Sequence, residues 1–323
     1  MNGPDVRLLP TLLAVLRHGS ITAAAAALGY VPSAVSQQMT RLERQMGVEL
    51  LSRRSGGAVT PTTAGNAIAE AAAVLLAATA DFQTSVSAIA GAGAPDLRVG
   101  MFPTAASEML PGALAKMRAK HPDFRLSLLA IEPAEGLRLL RAAEVDLLLA
   151  YRYLPEDPPA PGDLQLLHLG REPLLLMAAS DHPAKLRRKD LEACDWVAGA
   201  PGTPDRRLFQ RWAHEIGLEP TVRYETDDYH ITLSLIAYGL GIGLVPLSAV
   251  HGWRDPAHPV SQVHAIPAKS MPARDVLAVT RHSFHHPAAN KLLTHLRSTL
   301  AAQLASQTLM AQGGTAGTGR SPR

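Results

Sequence analysis

Apolar positions at helical spacing fill the first stretch of the chain, and glycines punctuate it. Leu8 to Leu16 reads as a first helix. A short alanine-rich helix follows from Thr22 to Leu28, then a tight turn at Gly29, Tyr30 and Val31. A second helix starts at Pro32, where the missing N–H costs nothing because that donor has no intrahelical partner. Along it Val35, Met39, Leu42 and Met46 recur at i, i+4, i+7 and i+11, a stripe that must face a core. Ser33, Ser36, Gln37, Thr40, Arg41 and Arg44 lie opposite, and Gly47 closes the helix.

A long helix comes next, from about Thr62 to Ala90, with no proline and with Gly65 as its sole glycine. Ile68, Leu75, Phe82 and Ile89 repeat every seven residues, beside a row of Ala64, Ala71 and Ala78. Such a repeat makes a dimerising seam, and at 1.5 Å per residue the helix spans about 40 Å. Packing against its own body is the competing reading. Gly91, Gly93 and Pro95 end the helix as a linker. Beyond Pro95 the pattern alternates: strands at Leu97–Phe102, Arg125–Ile131 and Asp146–Tyr151, with helices at Ser107–Lys120 and Glu135–Ala143 between them. Alternation of this kind predicts a parallel sheet covered on both faces. A proline-rich connector, Leu154 to Gly162, leads to a second unit from about Leu166 to Val263, opening with the strand Pro173–Ala179. The strand Asp275–Thr280 and the helix Asn290–Leu304 return to the first lobe. Two lobes joined by two crossings form a hinged clamshell, with ligands bound beyond the carboxyl ends of the strands.

Helix, glycine turn, helix is the helix-turn-helix pattern, whose second helix presents its N-terminal residues to base edges in the major groove. Thr22, Pro32, Ser33, Ser36, Gln37 and Arg41 are the candidate contacts on it. Gln can hydrogen-bond an adenine edge, hydroxyls serve base or phosphate, and Arg contacts guanine or phosphate. An ordinary amphipathic surface helix carries the same two faces. The segment after Gly47 favours DNA: Arg53 and Arg54 stand beside Ser55, Gly56 and Gly57 at the tip of a hairpin wing suited to phosphates or a narrow minor groove.

With GSITAAAAALGYVPSAVSQQMTRLERQMGVELLSRR and the TPTTAG run at Thr60 to Gly65, the chain resembles a LysR-type transcriptional regulator over roughly residues 5–303. The resemblance implies a multidomain fold. Residues 1–61 form an all-α winged helix-turn-helix DNA-binding domain, and residues 62–91 a dimerisation linker helix. Residues 92–304 form a two-lobed α/β effector domain of the periplasmic-binding-protein type. Lobe I takes about 95–163 and 269–304, lobe II about 164–268, and 305–323 is a disordered tail. It departs from the family at one point: the residue before the recognition helix, usually a capping hydroxyl, is Val31. A missing cap costs about 0.5–2 kcal/mol of helix stability.

Composition fits this organisation. With 323 residues, 47% of them hydrophobic, there is enough sequence for two or three cores. The net charge is +3; up to Gly65 six Arg stand against Asp5, Glu43 and Glu49, so that surplus (6 − 3 = 3) sits in the head. A balance this mild argues against a non-specific nucleic-acid coat. The single cysteine, Cys194, excludes an internal disulfide framework, fits a cytoplasmic location and reads as a small buried residue. Leu8 to Leu16 resembles the core of a signal peptide, but Asp5 cancels Arg7, and Arg17 and His18 interrupt before any cleavage site. Ile231 to Val250 carries no charge for twenty residues, yet Gly239, Gly241, Gly243 and Pro246 break it into helix, turn and strand. No membrane partner is therefore expected.

In the cleft, Phe102, Pro103, Thr104, Ala105, Ala106 and Ser107 lie between the first strand and its helix. Hydroxyls and N–H groups at a helix start favour an anion, and the family places its inducer pocket at this loop, so Thr104 and Ser107 lead the candidates. The facing lobe offers Gly202, Thr203 and the TDDY run at Thr226 to Tyr229, Thr226 and Asp227 among them, together with the short strand Leu244 to Pro246. Asp227 and Asp228 either bind a cationic group or cap the helix starting near Tyr229. His282, His285 and His286 form H-x-x-H-H with no Cys, Asp or Glu nearby in sequence, which reads as a solvated loop rather than a metal site. No cofactor, metal site or catalytic constellation is expected. The expected partners are double-stranded DNA, a small and candidate-anionic effector, and further copies of the chain as a dimer or tetramer, with RNA polymerase a further candidate. A solute-binding or catalytic α/β protein of the periplasmic-binding type is the alternative.

Overall fold

The computed structural model describes residues 4–53, 58–90, 96–153, 162–253, 255–266, 271–286 and 288–313. The chain divides into two compact units, one built on residues 1–94 and the other on 95–323, the short segments 138–145 and 283–285 going with the first.

In the first unit a single 3-10 turn at Val6–Leu8 leads into α1 (Leu9–His18), α2 (Ile21–Leu28) and α3 (Pro32–Met46). Ser20 caps α2, its side chain accepting from the Ala23 amide. Gly29 ends α2 at φ 70°, a left-handed turn that glycine adopts without steric cost and that redirects the chain into α3. Val31 stands at the N-cap of α3 with no side-chain cap bond. Val35, Met39 and Leu42 of α3 are buried with Leu12, Val15, Ala24 and Leu50 in one cluster, so the apolar stripe faces inward. Strands β1 (Leu51–Arg53) and β2 (Val59–Pro61) pair antiparallel as the wing. The predicted wing tip, Arg54 to Gly57, and the side chain of Arg53 lie outside the described residues. Helix α4 (Thr63–Ile89) is capped by Thr62, whose Oγ1 accepts from the Gly65 amide at 2.9 Å.

The second unit contains β3 (Leu97–Met101), α5 (Pro103–Glu108), α6 (Leu110–Lys120), β4 (Leu126–Ala130), α7 (Pro133–Arg141) and β5 (Leu147–Arg152). Then come β6 (Leu164–Ala179), β7 (Lys185–Arg187), α8 (Arg188–Glu192), β8 (Asp195–Ala198), α9 (Pro204–Glu215), β9 (Thr221–Glu225), α10 (Tyr229–Ala237) and β10 (Gly243–Pro246). The chain finishes with α11 (Leu247–Gly252), β11 (Val260–Gln262), β12 (His264–Ile266), β13 (Ala273–Arg281) and α12 (Ala289–Gly313). The main sheet runs β10-β6-β13-β5-β3-β4, with β11 also on β6.

Three expectations change here. The sheet is mixed: β3 pairs parallel with β4 and β5, but β13 is antiparallel to both β5 and β6. The strand–helix alternation that predicts parallel neighbours ends at β5, and β13 returns from the second lobe, where that local alternation no longer sets its direction. The lobe boundary does not fall cleanly at residue 164, because β6 serves both lobes: Leu164–Pro173 pairs with β13, and Leu174–Ala179 with β10 and β11. Its alternation buries Leu174, Leu176 and Ala178 with Trp196, Phe209 and Trp212 on one face, and Leu175 and Met177 with Leu233 and Ile236 on the other. Helix α12 continues to Gly313, so the expected disordered tail is helical over residues 305–313, and its remainder lies outside the described residues, as do 154–161 of the connector and the linker glycines.

Candidate functional site

The outer face of α3 carries the predicted DNA contacts. Pro32, Ser33, Gln37 and Arg41 are exposed, Ser36 is half-buried, and Thr22 is exposed at the start of α2. Arg41 is partly engaged, its Nη2 3.3 Å from Asp5 Oδ2; Asp5 also holds Arg7, whose hydrogen bond keeps the Asp5 carboxyl below its ordinary range. Gln38 turns inward, its Oε1 accepting from Thr11 Oγ1 at 2.5 Å, which leaves Gln37 as the exposed amide of the pair.

On α4, Leu75, Phe82 and Ile89 are exposed, Phe82 at 69% and Ile89 at 86%, with Val74 and Val86 beside them. Ile68 is placed otherwise, packed into the core of the head. The seven-residue spacing could not separate a residue within reach of the head from those beyond it.

In the second unit a cavity of about 950 Å³ opens between the lobes. Phe102, Pro103, Thr104 and Ser107, from the expected loop, line it; so do Gly202, Thr203 and Asp227 from the facing lobe. Thr226 does not. It lines a separate inner pocket of about 20 Å³, and its hydroxyl accepts from the Asp228 amide. Asp228 caps α10, its Oδ1 accepting from His230 and Ile231, whereas Asp227 receives the Ala200 amide at 3.0 Å and faces the cavity. Both aspartates line the cavity, and Asp228 is the one that caps the helix.

Tyr229, the end of the TDDY run, lines the cavity too; Glu132, Tyr151, Arg152, Asp205, His230 and Arg274 also do so but were not legible as site residues. Glu132, Tyr151 and Arg152 follow or end β4 and β5, and the carboxyl ends of strands were the available signal. Arg274 comes from β13, far away in sequence. It is 1% exposed, donates Nε to Glu172 Oε2 at 2.8 Å and Nη2 to Thr104 Oγ1 at 2.9 Å. Its guanidinium lies 4.8 Å from the Phe102 ring centre and 5.1 Å from that of Tyr151. Burial works against this charge, but the charge and hydrogen bond of Glu172 together with Tyr153 and Tyr229 outweigh it and hold the guanidinium above its ordinary range. Tyr151 Oη donates to Glu132 Oε2 at 2.8 Å, and Tyr229 Oη to Asp205 Oδ2 at 2.7 Å. Burial raises both phenols, keeping them protonated donors.

The expected anion preference is not supported. Helix α5 has six residues, too short for an effective dipole, and Thr104 already accepts from Arg274. The lining carries charged groups of both signs, Glu132, Asp205, Asp227 and Asp228 with Arg152, Arg207 and Arg274, and so favours neither sign by count alone. Among the described residues no group of three or more His, Cys, Asp and Glu has metal-holding geometry.

The two units match known families. Residues 6–66 match the family described as "Bacterial regulatory helix-turn-helix protein, lysR family", and residues 90–301 match "LysR substrate binding domain". The probable HTH-type transcriptional regulator LrrA of Synechococcus elongatus is 29% identical over 301 residues, covering 91% of this chain and 97% of its own length. The HTH-type transcriptional regulator CbbR of Sinorhizobium medicae is 34% identical over 183 residues, 57% of this chain and 56% of that protein, so the match spans little more than half of it. Among solved structures, a full-length OxyR variant from Pseudomonas aeruginosa superposes with a TM-score of 0.68 at 20% identity, covering 92% of this chain and 96% of that one. CbnR, a LysR family transcriptional regulator, superposes at 0.60 and 21% identity, covering 91% and 99%. At these identities the superpositions show the fold alone.

Proposed function

We infer function from one premise: this chain belongs to the LysR family of bacterial regulators. It is a transcriptional regulator with a DNA-binding head and an effector-binding domain. The alternative of a solute-binding or catalytic α/β protein has no use for a helix-turn-helix head. Our reading is that it acts by binding, without catalysis, in the cytoplasm. Two copies joined through α4 place two heads on a roughly two-fold-symmetric site and fix its half-site spacing. The apolar length of Thr63–Ser87 is enough by itself to cross a membrane. Glu70, Asp81 and the seven-residue repeat favour a protein–protein seam instead. The effector occupies the cavity between the lobes, lined by Phe102, Pro103, Thr104, Ser107, Thr203 and Asp227, and changes its closure. A ligand shifts such an equilibrium only through its differential affinity for the two arrangements. RNA polymerase is the partner through which promoter output would change.

The observation that carries this reading is the two-faced α3, with Val35 and Leu42 fully buried behind an exposed Gln37. The test is a gel shift on genomic fragments retained by the purified protein. Gln37→Ala should cost about 1–3 kcal/mol on the cognate duplex and relax its specificity. Unchanged discrimination would remove Gln37 from base readout, and no sequence-preferring complex at all would overturn the regulatory reading.

A further inference from the structure

We propose that Arg274 decides which kind of atom the effector presents to Thr104: a hydrogen-bond acceptor without a proton, such as a ring nitrogen, a carbonyl or a deprotonated acid oxygen. This deepens the effector reading and rests on it. Arg274 acts through Thr104, as a positioning residue. An arginine has five donors, no acceptor and no accessible neutral form. Its Nε donates to Glu172 Oε2 at 2.8 Å, and its guanidinium lies against the rings of Phe102 and Tyr151. Held on these sides, Nη2 is aimed at Thr104 Oγ1 at 2.9 Å, with Ser248 Oγ a long second acceptor at 3.5 Å. Solvent does not reach this donor, because Arg274 is fully enclosed.

The consequence falls on the Thr104 hydroxyl, which has one donor hydrogen and two lone pairs. Its hydrogen-bond partner among the described residues is Arg274, and that bond uses a lone pair. The hydrogen is therefore left without an acceptor among them, although Thr104 is only 6% exposed and lines the cavity. A buried donor with no partner is costly, and an acceptor atom on the ligand satisfies it. A hydroxyl that accepts from a cation is also polarised into a stronger donor. A ligand N–H fares worse at the same place. It finds only the second lone pair, leaves the O–H unpaired and brings its positive end beside the guanidinium. The phenols are set the other way: Tyr151 and Tyr229 commit their hydrogens to Glu132 and Asp205, so a ligand donor finds acceptors there and not at Thr104. Net charge does not make this choice, since Glu172 balances Arg274 within the buried pair. Phe102, Pro103 and Pro133 line the same cavity and suit an apolar, ring-bearing body behind the acceptor.

The experiment titrates three neutral bicyclic probes into the full chain by ligand-observed NMR, in mildly alkaline buffer where quinoline is unprotonated. Quinoline offers a ring-nitrogen acceptor, indole an N–H donor, and N-methylindole neither. With Arg274 in place, Thr104→Val should weaken quinoline about two- to tenfold, the share of one hydrogen bond, and leave the other two unchanged. In an Arg274→Met, Glu172→Gln background no cation fixes Thr104, whose hydroxyl then donates or accepts. There Thr104→Val should cost quinoline and indole alike. Arg274→Lys, which keeps a donor without an acceptor, should restore the selective loss. A purely structural role for Arg274 would move all three probes together. Neutron diffraction of the deuterated wild type depends on no variant folding, and the Thr104 deuteron should point into the cavity. A deuteron turned to a backbone carbonyl, an indole loss equal to the quinoline loss with Arg274 in place, no quinoline loss there, or a selective loss that survives without Arg274 overturns the proposal. Binding of the probes without that selectivity refutes the polarity and leaves the cavity reading intact, whereas no binding by any of the three refutes both.

Discussion

Arg274 is a charge that water does not reach, and its neighbours explain how it persists. Glu172 supplies the counter-charge and also receives the Ser248 amide at 2.5 Å, so the pair ties β13, β6 and the start of α11 together. Removing one partner of such a pair strands the other in a low dielectric, which costs about 3–5 kcal/mol. Against a domain stability of about 5–15 kcal/mol that is a large fraction. Arg274→Met should therefore lower the urea midpoint of the effector unit sharply, and Arg274→Met with Glu172→Gln should recover much of the loss. A single variant no worse than the double would mean that Glu172 is not stranded. Neither residue was legible beforehand, because an Arg at position 274 and a Glu at position 172 carry no pattern that pairs them across 102 residues.

At the scale of elements, spacing was a good guide wherever one face of a helix met a core. The stripe of α3, the start of α4 at its Thr62 cap and the break of Ile231–Val250 into α10 and β10 follow from local chemistry. Gly65 shows the limit. A methyl there would meet the Leu50 carbonyl oxygen at 2.0 Å, and that neighbour is backbone. Alanine is about 1 kcal/mol better than glycine inside a free helix, so propensity alone predicts that Gly65→Ala stabilises. The close approach of α4 to the loop before β1 reverses the sign. Overpacking of this kind costs about 1–3 kcal/mol, and the head should unfold earlier in a thermal scan of the variant. An unchanged or raised midpoint would show that α4 can back away. The single strand β6, shared between lobes, was likewise out of reach, since the pattern predicted a strand only from Pro173 to Ala179.

For the whole molecule, the exposed seam on α4 is the feature that a single chain leaves unresolved. Phe82 and Ile89 stand largely in solvent on a helix whose Ile68, nearer the start, packs against the core of the head. Surface of this kind marks an interface or an aggregation hazard. Leu75→Asp together with Phe82→Asp should yield monomers by light scattering, and the same protein should bind a full operator more weakly because two heads no longer share one complex. A dimer that survives both charges would move the interface elsewhere.

Local pattern was sufficient for the head, because a helix-turn-helix is built from short-range rules: an i, i+4, i+7 stripe, a left-handed glycine turn and a cap. It was sufficient too for the linker helix and for the α/β character of the rest, where period 3.6 and period 2 alternate. The cavity is different. Its carboxylates come from residues 132, 205, 227 and 228 and its guanidinium groups from 152, 207 and 274, and its sign depends on which of them are already paired. Charge pairing over such separations is decided by strand order and register, and those exist only once the chain has folded.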